Sequence, residues 1–269
     1  MIGGSTQLVA ILGTPIAQVK SPENFNRWFA EHDHDIAMLP VDMSAQALPA
    51  FIATLRGWNN LRGCVVTVPY KQTVAPLLDE LTQRSAALGM VNVIRRDTDG
   101  RLVGDHLDGT GFLKAAAAHD FQPAGKRALV VGAGGVGAAI AYALGEAGLQ
   151  QLVIADVRQA QVEALRGVLA KAFPGLDVQT TYTDLSAFDL VVNATPVGMG
   201  DTGQVPLALA PLATLRPHTL VADVVTSPHI TPLLAHAQRH GCRIQTGPEM
   251  ARAQMGNLGA FMGVTPEDA

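Results

Sequence analysis

Short apolar runs alternate with stretches of helical periodicity from the start of the chain. Residues 8–12, 36–41 and 63–67 read as buried strands, and helices are predicted after Ser21-Pro22, after Ser44 and through 71–88. Strands separated by helices need crossover connections, so this order predicts a largely parallel sheet. Two β-rich runs, 90–95 and 101–104, flank the turn residues Asp97-Thr98-Asp99-Gly100, which predicts a hairpin at the sheet edge. A second series begins near Pro123, with strands at 127–131, 152–155, 177–180, 190–193, 220–224 and 243–245 and helices between most of them. The chain therefore reads as two α/β units. The boundary is expected at Asp108, where an Ala-rich helix over 109–119 leads into Phe121-Gln122-Pro123-Ala124-Gly125. The last helix, 249–262, has no strand after it and is expected to pack back on the first unit. The predicted domains are 1–108, with 248–269 returning to it, and 109–247.

Composition narrows the class. With 269 residues, 48% hydrophobic and 16% charged, the chain can bury a sizeable core and is not disordered. A formal charge of -4 with no basic block leaves nothing to release counterions from a nucleic acid. Cys64 and Cys242 lie too far apart in sequence to suggest a disulfide framework or a paired metal site, which fits a reducing cytoplasm. The first positive charge is Lys20, so no secretory signal is expected, and the uncharged stretch 128–145 is too rich in glycine to read as a membrane span. His32 and His34 sit beside acidic residues, but an i,i+2 pair on a helix points two ways, and His236 and His240 share a face at i,i+4 without an acidic residue between them; no metal is expected.

Gly132-Ala133-Gly134-Gly135-Val136-Gly137 is a G-x-G-x-x-G directly after a strand and directly before a helix. That context predicts a Rossmann-type doubly wound parallel sheet holding a dinucleotide. Gly132 permits the tight turn, Gly134 lets the backbone approach a pyrophosphate, and Gly137 allows the helix to lie against the strand, while amides of Gly135 and Val136 at the helix start face the anion. Asp156 closes the next strand, 24 positions after Gly132, where a carboxylate accepts ribose hydroxyls and repels a 2′-phosphate. NAD is therefore expected in preference to NADP. Arg158, two positions on, could pair with that phosphate in another pose, which keeps NADP open. The strand-end loop of Asn193, Thr195 and Pro196, together with Val224 at the end of the following strand, is expected to line the nicotinamide pocket.

Cofactor binding names no reaction, and the first unit must supply acid/base groups. Lys71, after Thr67-Val68-Pro69-Tyr70, stands at a strand end, and Asp108, after Gly104-Asp105-His106-Leu107, stands at the domain junction. Here the sequence resembles the shikimate/quinate dehydrogenase family over nearly its whole length. The resemblance rests on Gly13-Thr14-Pro15-Ile16-Ala17, Lys20-Ser21-Pro22, Thr67-Val68-Pro69-Tyr70-Lys71, Val91-Asn92, Gly104-Asp105 with Asp108-Gly109, the glycine turn, Asn193-Ala194-Thr195, Thr231-Pro232-Leu233-Leu234, and Glu249-Met250 with Gln254. It implies an N-terminal α/β substrate domain beside the Rossmann domain, and interconversion of a ring ketone and a ring alcohol with NAD(P). It also implies that Lys71 and Asp108 are the catalytic pair, that Thr67 and Asn92 bind substrate hydroxyls, that Ser21 binds a carboxylate and that Gln254 touches substrate. The implied partner is a small cyclic hydroxy acid, bound by a monomer or homodimer, with no membrane.

The chain departs from the family pattern around that substrate. Val19 stands where the family has a serine that grips a carboxylate, and Thr226 stands where a tyrosine is common. His106-Leu107, Val93 and Val66 replace Asn-Thr, Thr and Asn. The pocket is expected to be less polar, favouring quinate or an amino or less oxygenated analogue over shikimate. A catalytically weak nucleotide-binding paralogue would also tolerate such losses, but retention of Lys71 and Asp108 speaks against it. Folate-linked dehydrogenases, which share the two-domain plan, are the weaker alternative.

Overall fold

The computed structural model describes residues 2–200 and 202–269. The chain divides into two compact units, one running up to Leu107 and resuming at Met255–Ala269, the other spanning Asp108–Gln254.

The first unit contains β1 (Gln7–Gly13), α1 (Ser21–Glu31), β2 (Ile36–Asp42), α2 (Leu48–Leu55), β3 (Leu61–Val66), α3 (Lys71–Val74), β4 (Glu80–Leu81), α4 (Gln83–Leu88), β5 (Val93–Arg96) and β6 (Leu102–Asp105). Its sheet runs β2-β1-β3-β5-β6-β4, with β1 parallel to β2 and β3, and β5 antiparallel to β3 and β6. Apolar clusters cover both faces. One joins α2 to Leu12, Cys64, Val66 and Ile94; the other joins α1 to Val9, Ile11, Val65 and Val93. At the open edge, the Asn26 side chain pairs with both Met38 N–H (2.7 Å) and Met38 C=O (3.0 Å), and Pro40 has no N–H to offer.

The second unit contains α5 (Asp108–Ala117), β7 (Arg127–Val131), α6 (Gly135–Glu146), β8 (Gln151–Ala155), α7 (Gln159–Ala172), β9 (Asp177–Gln179), β10 (Leu190–Asn193), α8 (Leu209–Leu212), β11 (Leu220–Asp223), α9 (Pro232–Arg239) and β12 (Arg243–Gln245); α10 (Gly247–Met262) begins in it and ends in the first. Its six strands are all parallel, in the order β12-β11-β10-β7-β8-β9, the doubly wound Rossmann arrangement. The order reverses at β7, whose carboxyl end carries the glycine turn.

Three expectations need correction. The hairpin β5–β6 is not at the edge, because β4 pairs in parallel with β6 beyond it. The segment 71–88 is not continuously helical: it holds α3, a short 3-10 turn at Ala75–Leu77, β4 and α4. Pro76 cannot donate within a helix, Asp79 N–H turns to Leu102 C=O (3.0 Å), and Thr82 restarts the helix by capping Ser85 N–H. The chain passes between units at Leu107/Asp108 and again at Gln254/Met255, so Asp108 and residues 248–254 belong with the second unit. Local packing explains both. Gly109 lies so close to α6 that a Cβ would collide with Ala139 C=O, and Gly111 leaves room for Gln254. From Met255 onward α10 joins the first unit, where Gly63 leaves room for Met262.

Candidate active site

In the first unit the expected substrate residues follow the carboxyl ends of β1 and β3 and precede the amino end of the antiparallel β5. Thr67 continues β3, its N–H bonded to Leu12 C=O (2.9 Å), and a Cβ at Gly13 would press on the Thr67 methyl at 2.5 Å. Tyr70 is buried and donates its hydroxyl to Met43 C=O, which pins the turn leading into Lys71, the half-buried first residue of α3. Lys71 C=O accepts Val91 N–H (2.9 Å), tying this turn to the strand that starts beside Asn92. Asn92 is almost fully buried, and its Oδ1 accepts Leu107 N–H (2.8 Å), so it also anchors the chain just before Asp108. Ser21 opens α1 half-buried. Val19 packs against the apolar cluster that includes Ile16, Phe25 and Leu258.

Two residues missed by sequence reading hold this region. Asp105 is buried at the end of β6, where Arg84 meets both carboxylate oxygens through Nε (2.7 Å) and Nη2 (2.9 Å). Thr82 Oγ1 (2.5 Å) and His106 N–H (2.7 Å) also donate to it. Burial pushes the Asp105 carboxyl up, but Arg84 and the other donors outweigh it and hold it below the usual carboxylate range. An acidic residue in β6 hinted at a partner; nothing in the spacing named Arg84.

In the second unit the glycine turn has the geometry its sequence demands. Gly132 has φ 108°, and a Cβ on Gly137 would collide with Gly132 C=O. The first helical bond of α6 runs from Ala138 N–H to Gly134 C=O (2.8 Å), so the N–H groups of Gly135, Val136 and Gly137 lie in the first turn, where a helix has donors to offer an anion. The residues fit a dinucleotide: the first-turn N–H groups of α6 are beyond the reach of helical acceptors, and at Gly134 a Cβ would meet only Arg158 Nη2, at 3.8 Å, so the backbone there is open to close approach. Asp156 Oδ2 accepts Ala133 N–H (2.7 Å) and Oδ1 accepts Arg158 N–H (2.9 Å), while the Arg158 guanidinium reaches both oxygens at 3.2 and 3.3 Å. Burial raises the Asp156 carboxyl, yet Arg158 and the backbone donors bring it net below its ordinary value. Asp156 therefore braces the glycine turn from within the protein.

Asp108 opens α5 and accepts a hydrogen bond from Gln254 Nε2, bringing together two expected site residues that are distant in sequence. Lys71 and Asp108 fall in different units. Thr226 and Pro196 are exposed; Val224 is half-buried, its N–H given to Asn193 C=O (3.0 Å).

Asn193 is turned into the protein. It is fully buried and its amide is used within the protein: Nδ2 donates to Val197 C=O (2.9 Å) and Asp223 Oδ1 (3.0 Å), and Oδ1 accepts from Thr195 N–H (3.0 Å) and Thr195 Oγ1 (2.7 Å). It shapes the loop of Thr195 and Val197. Both cysteines are buried free thiols, and burial pushes Cys64 up to about 12, too high for a nucleophile. Among the described residues no helix is long and apolar enough to cross a membrane.

The family model of the shikimate dehydrogenase substrate-binding domain matches residues 11–94. Shikimate dehydrogenase (NADP(+)) of Moorella thermoacetica is 38% identical over 258 residues, covering 93% of this chain and 85% of the relative. Among solved structures, ligand-free 5-ketofructose reductase of Gluconobacter sp. strain CHM43 superposes with TM-score 0.90 at 26% identity, covering 97% of this chain and 94% of the other. Shikimate 5-dehydrogenase of Listeria monocytogenes, in complex with shikimate and NAD, gives TM-score 0.88 at 28% identity, covering 94% and 90%.

Proposed function

The chain belongs to the shikimate/quinate dehydrogenase family, oxidoreductases acting on CH–OH groups, and on that premise we propose that it interconverts a cyclic hydroxy acid and its ketone, using NAD in preference to NADP. The observation that carries this reading is the mounting of Asp108: its helix α5 packs through Gly109 on α6, the helix that follows the glycine turn. A carboxylate fixed to the nucleotide helix is suited to hold a substrate hydroxyl while Gln254 fixes the carboxylate. When bound, the nicotinamide ring supplies or accepts the hydride. The turn from Gly132 to Gly137 would hold the pyrophosphate, and the loop around Thr195 and Pro196 the nicotinamide half.

As a ketone is reduced, negative charge develops on its oxygen. The Lys71 ammonium would stabilise that charge and deliver the proton that completes the alcohol; in the reverse direction the amine takes the proton back. Asp108 would orient the reacting ring through its neighbouring hydroxyl, and Thr67 and Asn92 would bind further hydroxyls. Because Val19 is seated on the apolar cluster and Thr226 is exposed, the carboxylate grip rests on Ser21, and the less polar pocket favours a related cyclic hydroxy compound, such as an amino or less oxygenated analogue, over shikimate.

For the cofactor, Arg158 is committed to Asp156, so pairing with a 2′-phosphate would leave a carboxylate facing a dianion. That supports NAD. The enzyme would work in the cytoplasm, where Cys64 and Cys242 stay reduced, as a monomer or homodimer.

Steady-state oxidation of shikimate, quinate and aminated analogues, each with NAD and NADP, tests these choices. The expected result is a higher kcat/KM with NAD and with a substrate other than shikimate. A kcat/KM for shikimate of about 10⁴ M⁻¹s⁻¹ or more would overturn the altered-substrate reading. A preference for NADP would overturn the cofactor reading.

A further inference from the structure

We propose that Asp223 is a positioning residue that sets the loop on which the nicotinamide half of the cofactor depends, an inference that rests on the dinucleotide reading of the second unit. Asp223 ends β11 almost fully buried, and each of its oxygens serves a different piece of chain. Oδ1 accepts Asn193 Nδ2 (3.0 Å) and Val225 N–H (3.0 Å). Oδ2 accepts Thr231 Oγ1 (2.7 Å), and the same hydroxyl caps α9 by accepting Leu234 N–H (3.3 Å).

One carboxylate therefore ties the end of β10, the exit of β11 and the start of α9 to a common point. Asn193 passes the constraint on, since its Oδ1 holds Thr195 through both N–H and Oγ1. The loop it shapes lies directly on the glycine turn: a Cβ at Gly132 would stand 2.8 Å from Ala194 C=O and 3.0 Å from the Thr195 methyl. Losing the carboxylate would leave Asn193 with Val197 C=O as its remaining Nδ2 acceptor and would strand Val225 N–H. The loop would then relax where the nicotinamide half is expected, while the diphosphate cradle keeps its own brace, Asp156 on Ala133.

A merely structural aspartate would lower stability without distinguishing the two halves of the cofactor. The test is to titrate NADH and ADP-ribose against wild type, Asp223→Ala and Thr231→Val by fluorescence and calorimetry, at a temperature where circular dichroism shows each variant folded. Asp223→Ala is expected to weaken NADH by about tenfold or more while ADP-ribose changes by less than about twofold. Thr231→Val breaks the arm to α9 and leaves Asn193 held, so it should show the same selectivity to a smaller degree; it carries the test if Asp223→Ala does not fold. Asp223→Asn keeps a carbonyl for Asn193 and should recover most of the NADH affinity. Equal losses for both ligands, or unchanged NADH affinity in a folded variant, would overturn the proposal. Wild type binding neither ligand would instead bring down the dinucleotide reading beneath it.

Discussion

Asp105 in the first unit and Asp223 in the second stand in equivalent places, each the last residue of a strand, each almost completely removed from water, and each accepting several hydrogen bonds. Their acidities nonetheless move in opposite directions. Burial pushes both up. At Asp105 the two-pronged Arg84 guanidinium and the other donors reverse that effect, and the carboxyl ends below its ordinary value. At Asp223 the donors are Asn193, Val225 and Thr231, all neutral, and burial wins. Neutral donors satisfy the geometry of a buried carboxylate; a countercharge is what offsets its lost hydration.

The largest test of this contrast is Arg84→Met, which leaves a buried carboxylate without its countercharge. It should cost about 3 kcal/mol of stability at neutral pH, measured by urea unfolding. A loss under about 1 kcal/mol would make the pair no more than a surface bridge.

A smaller test uses pH. Because its folded value is depressed, Asp105 contributes stability above the unfolded value of about 3.9 that is lost as pH falls through the folded one. Asp223 has the opposite sign: its contribution is complete below about 3.9 and is lost as pH rises through its raised folded value. Urea midpoints across an acid series should show Asp105→Asn less sensitive to acid than wild type, and Asp223→Asn lacking a gain that wild type makes on mild acidification. The same pH profile for both variants would contradict the contrast.

The same pair shows where sequence is legible. The glycine turn could be read because its requirement is local: a positive φ at Gly132 and no side chain at Gly137 are properties of adjacent residues. The parallel Rossmann-type sheet could be read from the glycine turn and from strands mostly separated by helices, although no helix lies between β9 and β10. Asp105 and Asp223 could not be assigned, since their partners come from other elements: Arg84 precedes β5, and Thr231 caps α9. Asn193 could be singled out, but its bonds to Val197, Asp223 and Thr195 could not be read, because motif position does not reveal which way a buried amide points. β4 is two residues long and carries no period, so the hairpin beside it was placed at the edge. Asp108 shows both sides: its motif was readable, its attachment to α6 through Gly109 and to Gln254 was not.

The central claim is that Lys71 moves the proton in an alcohol–ketone interconversion, and Lys71→Ala tests it most directly. With whichever of shikimate, quinate or their analogues wild type oxidises fastest, the variant should bind NADH as wild type does while kcat falls by about 10²-fold or more. Wild-type turnover in the variant would contradict the account.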